Sequence, residues 1–365
     1  MSIIDRRFDI VSCVQTSLRC VITAPTGSGK SVLVPQWLRA EASQVIVLQP
    51  RRAAATKLAE YVASQVGCPV GDAVGFMISG DCRRSGPNSK IVYMTAGFYL
   101  EAFRSFDGKD YILIIDECHE MSDEYQLVFF LVKFVLKNTR VLFMSATVSI
   151  GRIVQYFGDM PSISIDCQPP FEVTVGFRPC PVTEELPNWI GSIIVETLQL
   201  GAVALVFLPG LSEITLVHEF LTTESTDIDI HVLSSRTPIE DWDRLNFLTV
   251  KPDTRYVFLS TDVSESSLTF TNLSLVIDSG ICRTFRYSRL SGTDMYTDVL
   301  LSRSSMRQRM GRVGRVMPGT YIGAFDDSTL VDEMPVVVDE SDSESFIRVL
   351  RIAISTGMPP EYRLI

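Results

Sequence analysis

The sequence predicts an α/β fold with mostly parallel sheets, built as two similar halves. Short, near-continuous apolar runs, the signature of strands buried on both faces, alternate with stretches of helical period. Each run ends in a polar or Gly-bearing turn, where open α/β sheets place their ligand sites. The series is interrupted once, by Pro-rich Cys167-Gln-Pro-Pro170, and then begins again. A chain of 365 residues with 46% apolar composition has material for two cores.

In the first half the strand candidates are Cys20-Val-Ile-Thr23, Val45-Ile-Val-Leu48, Ile91-Val-Tyr-Met94, Tyr111-Ile-Leu-Ile-Ile115 and Val141-Leu-Phe-Met144. In the second they are Val203-Ala-Leu-Val-Phe207, His231-Val-Leu233, Tyr256-Val-Phe-Leu259, Leu275-Val-Ile-Asp278 and Thr320-Tyr-Ile322. The expected domains are 1–166 and 171–330, with a hinge near Asp166–Pro170 and no direct sequence repeat between the halves. Residues 331–365 read as an acidic segment followed by a last helix, Ser343 to Ser355, with Phe346, Val349, Leu350 and Ile354 on one face.

The net charge of −10 is unevenly spread. Residues 1–165 carry 17 Lys/Arg against 15 Asp/Glu, and residues 166–365 carry 16 against 28. Eight carboxylates between Asp326 and Ser345 have no basic residue among them and read as a solvated stretch. A phosphate-binding groove needs only a local basic lining, so the acidic total leaves a nucleic-acid partner open. No apolar run is long enough for a membrane span, and no secretion signal is expected. Eight scattered cysteines without a C-x-x-C pair read as reduced thiols in a cytoplasmic setting.

The first strand runs into Ala24-Pro-Thr-Gly-Ser-Gly-Lys-Ser31, a phosphate-binding loop of G-x-x-x-x-G-K-[ST] type with Ala24 at the usual first Gly. Thr26, Gly27, Ser28 and Gly29 bring backbone amides toward phosphate oxygens, Lys30 supplies a cation, and the Ser31 hydroxyl suits Mg²⁺. The bland alternative is an ordinary Gly-rich strand-to-helix turn. Asp116-Glu-Cys-His119 follows Lys30 by 86 residues and caps an apolar strand. There Asp116 suits Mg²⁺ through water and Glu117 suits the role of general base on an attacking water. His119 is expected to link the site to the Ser145-Ala-Thr147 turn rather than bind metal. Cys118 is expected to pack, the alternative being a Cys/His nucleophile.

These motifs, with Gln49-Pro-Arg-Arg52, Met94-Thr-Ala-Gly97, Val206-Phe-Leu-Pro-Gly210, Ser260–Thr269 and Gln308-Arg-Met-Gly-Arg-Val-Gly-Arg315, stand in the order and spacing of superfamily 2 DExH helicases. The chain resembles that family over roughly residues 15–325. Gln49–Arg52, Leu208–Gly210 and Glu265–Thr269 look like the DEAH/RNA-helicase-A group, while Ser260–Glu265 is closer to flavivirus-type viral helicases.

The resemblance implies two tandem RecA-like domains, ATP or another NTP with Mg²⁺, and RNA as partner. Residue by residue, it implies that Gln308 orients the lytic water and that Arg312 and Arg315 stabilise the transferring phosphoryl group. Asp262, where the DEAH group commonly has Asn, and Glu265 would sense nucleotide. Arg51, Arg52, Thr95, Gly97, Gly210, Ser212 and Thr269 would touch the RNA backbone.

Thr284 to Asp298 resembles the β-hairpin that related helicases use near the duplex, with a purely structural hairpin as the alternative. A third domain is expected to be absent or reduced, since about 50 residues follow Arg315. The expected partners are single-stranded RNA or 3′-tailed duplex and, for a viral protein in host cytoplasm, other replication proteins. Two further readings stay open at this point: an RNA-stimulated NTPase that remodels ribonucleoprotein without processive unwinding, and a nucleotide-dependent RNA-binding module.

Overall fold

In the computed structural model the chain divides into two compact units, Met1–Cys167 and Gln168–Met334. The structure describes residues 2–331 except 26, 84–88, 107, 120–121, 147–150, 166–169, 183–184, 235–236, 238–248, 266–271 and 289–292. Thr26, Thr147, Thr269, the hinge at 166–169, the acidic stretch beyond 331 and the helix Ser343 to Ser355 lie outside the described residues.

The first unit is built on an eight-stranded sheet in the order β4-β3-β5-β2-β6-β7-β1-β8. Its strands are β1 (Arg19–Thr23), β2 (Gln44–Gln49), β3 (Val74–Ile78), β4 (Asp81–Arg83), β5 (Ile91–Thr95), β6 (Tyr111–Ile115), β7 (Arg140–Ser145) and β8 (Ser162–Ser164). All pairings are parallel except the short β3–β4 edge. Helices α1 (Arg7–Thr16), α2 (Lys30–Leu38), α3 (Arg52–Val66), α4 (Ala96–Ala102), α5 (Asp123–Phe134) and α6 (Gly151–Phe157) complete the unit. Strand alternation divides the core in two: Cys20, Ile22, Val45 and Val47 join one cluster, and Val21, Ile46 and Leu48 join the other. Burial on both faces explains why these strands read as unbroken apolar runs.

Strands β3 and β8 were not among the sequence-predicted set. Gly75 interrupts the apolar character of β3, and Ser162-Ile-Ser164 offers a single buried side chain. Both are selected by neighbours already in the sheet rather than by their own composition.

In the second unit a six-stranded parallel sheet has the order β11-β12-β10-β13-β16-β9. It contains β9 (Val173–Phe177), β10 (Val203–Phe207), β11 (Ile228–Leu233), β12 (Arg255–Ser260), β13 (Leu273–Asp278) and β16 (Gly319–Gly323). Helix α7 (Leu186–Thr197) buries Ile190, Ile193 and Ile194, and α8 (Leu211–Glu224) buries Ile214, Val217 and Leu221, each set at helical spacing. Strands β14 (Ile281–Ser288) and β15 (Thr293–Leu300) form a separate antiparallel hairpin, at the place the sequence predicts one. The short helix α9 (Arg303–Met310) follows, capped by the Ser302 hydroxyl.

Parallel register puts the strand ends of each sheet on one edge. In the first unit Thr23 is opposite Ser145, Gln49 is opposite Thr95, and Leu48 is opposite Ile115. In the second, Phe207 lies between Ser260 and Asp278. The motifs that follow a sheet strand leave from such an edge; Gln308–Arg315 instead runs from α9 toward the start of β16.

Candidate active site

In the first unit β1 ends at Thr23, and the Ala24 amide donates to the Ser145 carbonyl at 3.0 Å, fixing where the loop departs. Gly27 and Gly29 then adopt φ of 81° and 86°, and Gly29 caps α2. A side chain at Gly29 would be strained by that φ and would stand 3.2 Å from Leu33 Cδ1. The Lys30 and Ser31 amides open α2 ahead of any i−4 carbonyl within the helix, so this end of the helix favours an anion. Ser28 Oγ is buried in the loop without a hydrogen-bond partner, as expected of a cradle whose acceptor is a phosphate oxygen.

Pro35 sits inside α2 and has no N–H to give to the carbonyl four residues back. That carbonyl belongs to Ser31, and Tyr93, buried in β5, donates to it from Oη at 2.8 Å. One proline frees the acceptor, and one tyrosine then holds the residue that carries the predicted metal hydroxyl.

Lys30 is 3% exposed, and its Nζ lies 3.0 Å from Glu117 Oε1. Glu117, with φ 48°, is the one non-glycine with positive φ among the described residues. Such a backbone persists only where its surroundings enforce it. Asp116 beside it is fully buried, accepting from Gln49 Nε2 at 2.7 Å and from the Glu117 amide at 2.9 Å. Tyr125 Oη anchors the Asp116 carbonyl at 2.7 Å. Burial, then the Glu117 charge, pushes the Asp116 carboxyl up to about 6 against the pull of Lys30 and hydrogen bonds from Ser31 and Gln49.

A carboxylate held at that cost suits a nearby cation. Ser31 and Asp116 supply hard oxygen donors of the kind Mg²⁺ takes, and the described residues hold no cluster of three or more His, Cys, Asp or Glu fit for a metal. Phosphate and water would have to complete the ion's shell, which fits Mg²⁺ carried with a nucleotide.

His119 Nδ1 lies 3.1 Å from Ser145 Oγ and 3.7 Å from Glu117 Oε2, next to the turn the sequence pointed to. Cys118 is fully buried, and burial with the charges of Glu117 and Asp116 pushes its thiol up. A buried, protonated thiol is inert, so the Cys/His nucleophile alternative has no support in this geometry.

The second unit gathers its motif residues around an arginine that sequence reasoning passed over. Arg309 is 1% exposed; its Nη1 donates to Asp278 Oδ1 at 2.7 Å and its Nε to Glu265 Oε2 at 3.1 Å. Its guanidinium also lies over the Phe207 ring at 4.8 Å. Tyr321 Oη donates to Asp278 Oδ2 at 2.9 Å and the Gly280 amide to Oδ1 at 3.0 Å, completing the network. Glu265, expected to sense nucleotide, thus has its carboxylate on Arg309, and its carbonyl accepts from Arg312 Nη2. Asp262 opens the 3-10 turn that ends at Glu265. Gln308 and Arg312 are both buried, and Arg315 Nε donates to the Gly311 carbonyl at 2.7 Å.

Removing Arg309 takes the countercharge from two buried carboxylates. Arg309→Ala is expected to destabilise the protein by about 3–5 kcal/mol, the usual cost of leaving a buried ion without its partner. Thermal unfolding followed by circular dichroism reads this directly, and a midpoint equal to the parent's contradicts it.

The predicted RNA contacts also sit at strand ends. Arg51 precedes α3 in extended conformation and Arg52, exposed, opens that helix. Thr95 ends β5 and caps α4, and Gly97 follows in the helix. Gly210 caps α8, with Ser212 in its first turn, where Ser212 Oγ lies 3.0 Å from Glu213 Oε2.

With this geometry in view, comparison with known proteins is specific. Residues 9–155 match the DEAD/DEAH box helicase family and residues 187–317 the helicase conserved C-terminal domain. The chain is similar to ATP-dependent RNA helicase HrpA of Borreliella burgdorferi, at 30% identity over 82% of this chain and 38% of the relative. It is similar to ATP-dependent RNA helicase HrpB of Escherichia coli, at 30% identity over 85% of this chain and 39% of the relative. The human probable ATP-dependent RNA helicase DHX40 is 28% identical, over 99% of this chain and 52% of its own length. The crystal structure of the Escherichia coli DEAH/RHA helicase HrpB superposes with a TM-score of 0.79 at 25% identity, covering 96% of this chain and 46% of that one.

The chain belongs to the superfamily 2 DExH-box helicases and carries their two tandem RecA-like domains. It spans between 38% and 52% of the length of the curated relatives named here. These relatives are bacterial and human, so the resemblance holds for the DEAH group and not for flavivirus-type helicases. The expectation of a viral source finds no support in them.

Proposed function

We propose that this chain is an ATP-dependent RNA helicase or translocase that hydrolyses ATP, or another NTP, at the loop 24–31. The observation that carries the reading is the buried Lys30–Glu117 pair, 3.0 Å apart, at the mouth of a phosphate cradle. An ammonium aimed at phosphate beside a carboxylate able to take a proton is the pairing that hydrolysis requires.

In this mechanism Lys30 and the amides of Gly27, Gly29, Lys30 and Ser31 hold the β- and γ-phosphates. Ser31 and Asp116 would hold Mg²⁺, which supplies charge neutralisation at the phosphates when bound. Glu117 accepts the proton of a water whose oxygen attacks the γ-phosphorus as the bond to the β–γ bridging oxygen breaks. Gln308 orients that water, and Arg312 and Arg315 stabilise the charge on the transferring group. Asp262 and Glu265 report the nucleotide state to the second unit. Arg51, Arg52, Thr95, Gly97, Gly210, Ser212 and Thr269 grip the sugar-phosphate backbone without reading sequence, and the closing and reopening of the two units moves the strand.

Strand displacement tests this reading. With ATP and Mg²⁺, the chain is expected to separate an RNA duplex bearing a 3′ single-stranded tail and to leave a blunt duplex intact. ATP turnover stimulated by RNA without separation would favour remodelling of ribonucleoprotein instead. Binding of RNA and nucleotide without turnover would leave only the binding-module reading.

A further inference from the structure

Among the described residues the β14–β15 hairpin shares no strand pairing with the six-stranded sheet, and an isolated two-stranded hairpin is marginally stable in water. Its base is held by the Leu301 amide on the Gly280 carbonyl and by Ile281 against the core; beyond that base its orientation depends on side chains. Arg283, third residue of β14, faces its register partner Asp298 and grips it through Nε to Oδ1 at 2.7 Å and Nη2 to Oδ2 at 2.9 Å. The same guanidinium reaches out of the hairpin. Nη2 donates to Glu213 Oε1 at 3.1 Å and Nη1 to Ser212 Oγ at 3.3 Å.

Glu213 and Ser212 lie in the first turn of α8, immediately after β10. A cation is disfavoured at that end of a helix, so Glu213 and Asp298 must offset the local field that Arg283 enters. Room for it comes from Gly210, where a Cβ would overlap Arg283 Nη1. The glycine expected to admit an RNA phosphate is thus also the glycine that lets the hairpin dock.

We propose that Arg283 is a positioning residue that locks the hairpin to the Gly210–Ser212 strand end, so that both meet a nucleic-acid strand as one surface. On the face of β15 that carries Asp298, Tyr296 and Leu300 are 69% and 51% exposed. An exposed tyrosine beside a backbone-binding strand end suits base stacking. The identity of the ligand rests on the RNA reading above; the anchor itself does not.

The test joins hydrogen exchange to RNA binding. In Arg283→Ala, amides of residues 281–300 are expected to exchange roughly five- to thirtyfold faster, the population change expected when one such bridging interaction is lost. Amides of β11 and β12 should be unchanged. Affinity for a fluorescent oligouridylate of roughly 12 nucleotides should fall several-fold. Arg283→Lys, which keeps the charge but not the fork, should fall between.

Unchanged exchange in the hairpin overturns the anchor. Faster exchange with unchanged oligonucleotide affinity overturns its link to the strand. Should the parent bind no oligonucleotide, the RNA reading fails by itself, and the hairpin's exchange still decides whether the anchor stands.

Discussion

Glu117→Gln is expected to bind ATP about as well as the parent and to lose turnover by on the order of 10²–10⁴, the range that a positioned general base contributes. The substitution keeps size and hydrogen-bonding shape at a residue that is 8% exposed and held at φ 48°, so the fold has little reason to move. What disappears is the proton acceptor. Losing the carboxylate also releases Lys30 from its 3.0 Å ion pair, leaving the ammonium more available to phosphate. Binding should hold or tighten while hydrolysis fails. Fluorescent-nucleotide titration beside steady-state phosphate release measures both, and parent-like release would remove Glu117 from its assigned role.

Arg312→Ala should show a larger loss, on the order of 10³–10⁵ in turnover, as expected of an arginine that stabilises charge on a transferring phosphoryl group. Nucleotide affinity should change much less. In the structure Arg312 is buried and Nη2 donates to the Glu265 carbonyl, a neutral acceptor whose loss costs about 1 kcal/mol. Arg309, three residues earlier, is tied to two carboxylates instead. The two arginines therefore predict different signatures: Arg309→Ala lowers the melting temperature, and Arg312→Ala lowers turnover far more than it lowers nucleotide affinity. Arg312→Lys should not restore the rate, because an ammonium lacks the planar fork. Phosphate release and thermal melting on the same preparations separate these outcomes, and parent-like turnover in Arg312→Ala contradicts the role.

The series of central strands was legible in the sequence because strands buried on both faces, such as Tyr111–Ile115 and Val203–Phe207, have no polar face to break the run. The turn at Gly27 and Gly29 and the strand end at Asp116–Glu117 were legible because local spacing marks them. Strands such as β8 and β9 were not, since their pairing is decided by neighbours far along the chain: Val173 pairs with Gly319. Distance in sequence also hid the supporting groups. Arg309 meets Asp278 and Glu265 across 31 and 44 residues, and Tyr93 reaches Ser31 across 62. A proline inside a helix, Pro35, was the one local sign that the Ser31 carbonyl needed another donor. Arg283 offered no comparable sign, because a basic residue on a hairpin strand reads as solvated until Glu213 and Asp298 are found beside it.

The proposed function makes the loop 24–31 with Glu117 a hydrolytic nucleotide site coupled to RNA. ATP turnover by the parent chain, measured against increasing single-stranded RNA with Lys30→Ala as the blank, tests it most directly. A rate that rises saturably with RNA in the parent and stays flat in Lys30→Ala is the expected result. A parent rate indistinguishable from that blank at every RNA concentration would contradict it.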